Sequence, residues 1–288
     1  MRTLEQLLLS SRPLSWINTA YPFAAAYYLA TRELDLAFWI GTIYFLIPYN
    51  LAMYGINDVF DYESDLRNPR KGGVEGAVLD RSLHRTTIIA VLVTNIPFIV
   101  ALVLLGSPAS WAVLAVSLFA VVAYSAKGLR FKEVPFLDSI TSSTHFVSPA
   151  VYGLVLAGAV FTPALVLLLV AYFLWGIASH AFGAVQDVLA DRAGGIASVG
   201  TVLGARATTR IALVAYVAAA LFLLGTDWPG PLAAIAVLPY ILNVAPFWNI
   251  TDETAESANR GWKRFLWLNF VAGFLVTMLL IWYAFLTL

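Results

Sequence analysis

Cysteine is missing from all 288 residues. That excludes disulfides and thiolate zinc sites. Charge is scarce as well: Asp, Glu, Lys and Arg make up 12% of the chain, against about 25% in a soluble domain. Acids and bases balance at 17 each, and with net charge zero no nucleic-acid partner is expected. What fills the space is apolar: 60% of residues are hydrophobic and the mean hydropathy is +0.81. Such a chain belongs in a lipid bilayer as a multi-pass protein of the cell membrane. The run from Met1 to Arg12 lacks the layout of a cleaved signal peptide, so the first apolar segment is expected to remain in the protein.

The apolar segments predict an all-α membrane bundle of nine transmembrane helices, forming one domain over 1–288. They run roughly over 14–30, 36–56, 86–105, 109–125, 138–158, 163–185, 208–225, 229–249 and 264–286. Each is close to the ~20 residues a bilayer requires. The fifth is the most polar, with Asp138, Ser139, Thr141, Ser142, Ser143, Thr144 and His145. Polar groups at that depth should face protein or a water-filled cavity. Of the 17 Lys and Arg, all but Arg32 fall in one alternating set of loops and helix ends. The positive-inside rule makes that set cytoplasmic, with the N-terminus inside and the C-terminus outside.

Two acidic runs break the apolar pattern. Asn57-Asp58-Val59-Phe60-Asp61-Tyr62-Glu63-Ser64-Asp65 closes the second segment, with aspartates at i, i+3 and i+7. On a continuous helix these share one face. They sit at a C-terminal end, where the macrodipole disfavours negative charge, so something cationic should offset them. The sixth segment closes on Gln186-Asp187-Val188-Leu189-Ala190-Asp191-Arg192, with aspartates at i and i+4. Both runs fall in the cytoplasmic set. A faint internal repeat accompanies them, because the second helix of each four-helix half ends in acid and the fourth is followed by a basic loop.

Five converging aspartates require cations. Carboxylate-only ligands suit Mg2+, which takes one or two carboxylates per ion and completes its shell with phosphate oxygens and water. The pattern therefore reads as a cage for a metal-bound diphosphate whose hydrocarbon tail enters the apolar bundle. Arg67, Lys71, Lys127 and Arg130 stand near enough in sequence to clamp phosphates. Arg70, Lys132 and Arg192 are further bases nearby. With the charge of the leaving diphosphate neutralised, an allylic group can depart. Aromatic faces stabilise the cation left behind, and 9 Trp, 18 Phe and 13 Tyr supply them.

These residues resemble the UbiA-type intramembrane prenyltransferases over essentially the whole chain. The resemblance rests on Asn57-Asp58-x-x-Asp61-x-x-x-Asp65, on Asp187-x-x-x-Asp191 and on the helix count. It implies that Asp58, Asp61, Asp65, Asp187 and Asp191 bind Mg2+ and that Asn57 joins them at the diphosphate. Tyr124, with Lys127 and Arg130, resembles the family's Tyr-Ser stretch with a following basic residue. After the first motif the sequence departs from the common Lys-x-Arg-Pro pattern and reads Asn68-Pro69-Arg70-Lys71-Gly72-Gly73. That run, with His180-Ala181-Phe182-Gly183 and Asp191-Arg192-Ala193-Gly194-Gly195, is similar to the lycopene elongase branch of carotenoid biosynthesis. The resemblance implies dimethylallyl diphosphate as donor, lycopene as acceptor and fifty-carbon carotenoids of the flavuxanthin type as products.

An alkene acceptor leaves a cation that must lose a proton or take up water. His180 lies seven residues before Asp187, on the same helical face about two turns deeper, and could take that proton. His145 is a second candidate. Either would equally serve as a buried histidine bonded to a neighbouring helix. Three other readings compete. One is the same chemistry on a quinone precursor, haem or a glycerol phosphate lipid. A second, a CDP-alcohol phosphotransferase, requires Asp-Gly-x-x-Ala-Arg ahead of its aspartates, and no such run is present. A third, a secondary transporter, would place charges at mid-depth, whereas these cluster at one face.

Overall fold

The computed structural model describes residues 3–65 and 79–287, without the side chains of Ser64 and Asp65. Arg67 and Lys71, expected at the phosphates, lie outside the described residues, as does the Asp65 carboxylate. All regular structure among the described residues is helical. The α-helices are α1 Thr3–Ser10, α2 Ile17–Thr31, α3 Leu36–Leu46, α4 Pro48–Phe60, α5 Tyr62–Asp65, α6 His84–Leu105 and α7 Pro108–Ser125. They continue as α8 Leu137–Leu156, α9 Pro163–Val185, α10 Val188–Gly194, α11 Val199–Leu223, α12 Ala233–Val244 and α13 Asn259–Leu286.

Seven segments of the described chain are long and apolar enough to cross a bilayer, the α3–α4 pair counting as one. Two expected spans fall short of that standard. α2 has 15 residues and rises only about 22 Å. α8 has 20 residues but carries the polar run from Asp138 to His145. Boundaries move where local chemistry overrides hydropathy. The second segment is two helices, because Pro48 opens α4 at its first position, where a proline's missing N–H costs nothing. The seventh begins at Val199 rather than near residue 208: Ser198 and Thr201 form a capping box there. The chain stays helical through Arg206, interrupted only at Gly204, where φ of 78° requires a glycine.

The chain forms two compact units, Met1–Phe131 with His145–Ala159 and Lys132–Thr144 with Val160–Leu288. The first has an aromatic core. Phe23 is fully buried, with ring centroids of Tyr27, Phe45 and Tyr152 at 5.9, 5.2 and 6.0 Å. α3 approaches so closely that a Cβ on Gly41 would land inside the Phe23 ring. The second unit is built on small residues. α9 and α11 pack along their length through Ala171, Ala178, Ala181, Ala205, Ala212 and Ala219. Small side chains let helix backbones approach each other, which drives association where lipid removes the hydrophobic incentive.

Candidate active site

In the first unit α4 delivers the opening acidic motif. Asp58, in its last turn, is 1% exposed. The Ser10 hydroxyl donates to its Oδ2 at 2.8 Å and Arg12 Nη2 to its Oδ1 at 3.1 Å. The Arg12 guanidinium also lies 4.3 Å over the Tyr54 ring, a cation–π contact that fixes its plane. Asp61 ends α4 as its C-cap and is 6% exposed. Arg130 Nη2 stands 3.7 Å from its Oδ1. Asn57 accepts the Ser125 hydroxyl at 2.8 Å through its own side-chain oxygen.

The cations that this helix end calls for are therefore Arg12 and Arg130. Both take left-handed backbone conformations, φ 51° and 42°, which cost about 1–3 kcal/mol each for non-glycine residues. In each, a strained turn brings a guanidinium to an aspartate of one motif. From sequence, Arg130 is expected at the diphosphate, and Arg12 and Ser10 have no assigned role. Their signal in the sequence was thin: an arginine just ahead of an apolar segment reads as a topology marker, and only the docking of α1 on α4 reveals more.

The motif does not lie on one helix face as expected. The helix stops at Phe60, and Tyr62–Asp65 forms a separate short turn of helix, so only Asp58 and Asp61 belong to the end of α4. Tyr124 meets His145 edge to face with centroids 5.3 Å apart. His145 is 3% exposed, and its carbonyl accepts the Tyr49 hydroxyl at 3.4 Å. It sits as a packed histidine. Lys127 is exposed in the turn after α7 and, among the described residues, pairs with no carboxylate.

In the second unit α9 ends at Val185, as hydropathy predicts, and the second motif occupies α10. Asp187 is its N-cap residue, and the Asp191 N–H donates to the Asp187 carbonyl at 2.8 Å. Both aspartates are half-buried, one turn apart on the same face. Arg192 turns elsewhere. It bonds the Thr201 carbonyl through Nε at 3.0 Å and Nη2 at 2.8 Å, and pairs with Asp252 through Nη1. Asp252 also accepts the Ala205 N–H at 2.7 Å, beside the glycine kink.

Deeper in the same unit, His180 is half-buried, with its Nδ1 3.1 Å from the Ser139 hydroxyl. That hydroxyl donates to Asp138 Oδ1 at 3.1 Å. Among the described residues no three His, Asp or Glu side chains gather as a ready-made metal cage. The donor set still fits Mg2+. Among the described side chains each motif offers two carboxylates, Asp58 with Asp61 and Asp187 with Asp191, and the ion needs one or two per site when phosphate and water complete its shell.

Three comparisons bear on this arrangement. Residues 19–270 match the UbiA prenyltransferase family. The chain belongs to the UbiA prenyltransferase family. Within it, the chain is 54% identical to a lycopene elongase/hydratase of Corynebacterium glutamicum, over 98% of both chains. It is 61% identical to the C(50) beta-cyclic carotenoids biosynthesis protein LbtBC of Dietzia sp. over 280 residues. That match covers 97% of this chain but 65% of the Dietzia protein, so the chain spans about two thirds of that relative's length. The fold is that of a UbiA homologue from Archaeoglobus fulgidus solved with GPP and Mg2+, with a TM-score of 0.70 at 17% identity over 93% of this chain and 99% of that one. A UbiA-family chain with seven such apolar helical segments among its described residues is a multi-pass membrane protein.

Proposed function

We propose that the chain transfers dimethylallyl groups from dimethylallyl diphosphate to the ends of lycopene, giving fifty-carbon carotenoids. The observation that carries this reading is the 54% identity, over nearly the whole of both chains, to a protein named lycopene elongase/hydratase. The Archaeoglobus fulgidus homologue has also been solved with DMAPP and Mg2+, which supports that donor class.

In this reading the two units work as one domain. Asp58, Asp61 and Asp65 from one motif and Asp187 and Asp191 from the other hold a single magnesium-bound diphosphate. Asn57, Arg67, Lys71, Tyr124, Lys127 and Arg130 contact its oxygens. Mg2+ held by these carboxylates would neutralise the charge that develops on the leaving diphosphate. Arg130, already beside Asp61, adds positive charge at the same place. The C–O bond of the donor breaks with its electron pair staying on the diphosphate. The terminal alkene of lycopene attacks the allylic carbon, and the new C–C bond leaves a tertiary cation on the acceptor. His180 takes the proton that ends the reaction. Nine spans, with the N-terminus cytoplasmic and the C-terminus outside, put the diphosphate at the cytoplasmic face. The basic-residue asymmetry supports that orientation.

Membranes carrying the protein, given dimethylallyl diphosphate, Mg2+ and lycopene, should yield carotenoids heavier by one and then two isoprene units. Mass analysis that finds unchanged lycopene beside consumed donor would reject lycopene as the acceptor. Donor left intact would reject prenyl transfer from dimethylallyl diphosphate.

A further inference from the structure

One buried carboxylate in the second unit lies outside both acidic motifs. Asp138, fully buried at the start of α8, accepts three bonds. Its Oδ1 takes the Ser139 N–H at 2.6 Å and the Ser139 hydroxyl at 3.1 Å. Its Oδ2 takes the N–H of Val199, the first residue of α11, at 2.7 Å. Two helix N-termini thus share one carboxylate, an arrangement in which both macrodipoles favour the negative charge. The same carboxylate reaches His180 through the Ser139 hydroxyl.

Proton counting sets the direction of that chain. An ionised carboxylate only accepts, and a hydroxyl has one proton to give. Bonds to an ionised acceptor are about twice as strong as neutral ones, so Ser139 gives its proton to Asp138. The Ser139 oxygen is then the acceptor, and His180 Nδ1 must carry the hydrogen between them. A neutral imidazole with hydrogen on Nδ1 has its lone pair on Nε2. Asp138 and Ser139 are 0% and 3% exposed, and His180 is half-buried as a residue. The carboxylate end of the relay is held by two backbone N–H groups, and the imidazole is its basic end.

We propose that Asp138 and Ser139 are positioning residues that hold His180 as the Nδ1–H tautomer, with Nε2 set to accept the proton released after prenyl transfer. The inference rests on the prenyl-transfer reading for its reaction, but the tautomer is a property of the protein alone. After the C–C bond forms, Nε2 takes a proton from the carbon beside the cationic centre and the C–H electron pair becomes the new double bond. Where water adds instead, its oxygen bonds the cationic carbon and Nε2 takes a water proton. The imidazolium then returns the proton to water, so no oxidant or reductant is involved.

Ser139→Ala isolates this role. It removes the link to His180 and leaves both backbone N–H bonds to Asp138 in place, so the two helix starts remain capped. With three histidines in the chain, imidazole 15N spectra of the full protein in nanodiscs can be assigned by comparison with His180→Gln. The wild type should show hydrogen on Nδ1 of His180, and Ser139→Ala should shift the ring towards the other tautomer. Ser139→Thr, which keeps the hydroxyl, should restore it. In turnover with lycopene, Ser139→Ala should lower kcat on the order of tenfold at unchanged KM for the donor, less than the hundredfold or more a general base supplies. It should add nothing in a His180→Gln background. Hydrogen on Nε2 in the wild type, or a Ser139→Ala effect that persists without His180, would overturn the proposal. The Nδ1–H tautomer in a protein that leaves lycopene unchanged would support the relay and reject only lycopene as acceptor.

Discussion

The two acidic motifs share a chemistry and differ in setting. Asp58 and Asp61 are buried, and each has an arginine beside it. Asp187 and Asp191 are half-buried on a short helix, and the arginine next to them is turned towards Asp252 and Thr201. The first closes a helix of the aromatic unit, with Arg12 and Arg130 against its buried carboxylates. The second occupies a seven-residue helix that follows the alanine-rich pair's first member. The difference teaches that an i, i+4 carboxylate pattern fixes ligand type but not how strongly the fold depends on it. The first motif should therefore couple chemistry to stability, and the second should affect chemistry with little effect on stability.

The largest effect should treat the motifs alike. If both serve one metal-bound diphosphate, stripping divalent metal with chelator should abolish turnover, and Mg2+ should restore it. Turnover that survives complete metal removal would show that neither motif is a metal site. The next effect should separate them. Arg12→Ala leaves the Asp58 carboxylate buried without its ion pair, which should cost on the order of 3 kcal/mol. Thermal unfolding in detergent would register it as a large fall in midpoint. An unchanged midpoint would mean that the pair contributes nothing to folding.

A smaller effect belongs to the cores. Gly41→Ala pushes a methyl group into the Phe23 ring, and overpacking of that kind costs about 1–3 kcal/mol. The same unfolding assay should place it below Arg12→Ala. The smallest loss should come from breaking the Arg192–Asp252 pair of the second unit. Arg192 and Asp252 are 41% and 30% exposed in their side chains, so Arg192→Ala should lose about 0–1 kcal/mol from that pair. A fall as large as that of Arg12→Ala would erase the contrast between the units.

Much of the fold was legible in hydropathy. Both ends of α7 and α9 and the C-terminal end of α13 fall within a residue of the predicted spans, because a long apolar run admits little but helix in a bilayer. Less legible were points decided by single side chains: the break at Pro48, the capping box at Ser198 and the stop of α4 at Phe60 all lie inside stretches of acceptable helix pattern. Asp58, Asp61, Asp187 and Asp191 stood out because charge is rare in this chain, and Asn57 because it adjoins the first of them. Arg12 did not, and Ser139 showed only as one of a polar run, since each acquires its role from a partner 46 or 41 residues away. Asp138 was visible as a polar residue at the head of an apolar segment, yet nothing in sequence connects it to Val199 or to His180.

The central claim is that motifs 129 residues apart act on one diphosphate. Turnover of Asp58→Ala, Asp187→Ala and the double variant, each shown to be folded and inserted, tests it most directly. Residues that act as one unit are grossly non-additive. Each single change should reduce turnover by orders of magnitude, and the double variant should be hardly slower than the worse single one. Near wild-type turnover in Asp187→Ala, or losses that simply multiply in the double variant, would contradict a shared site.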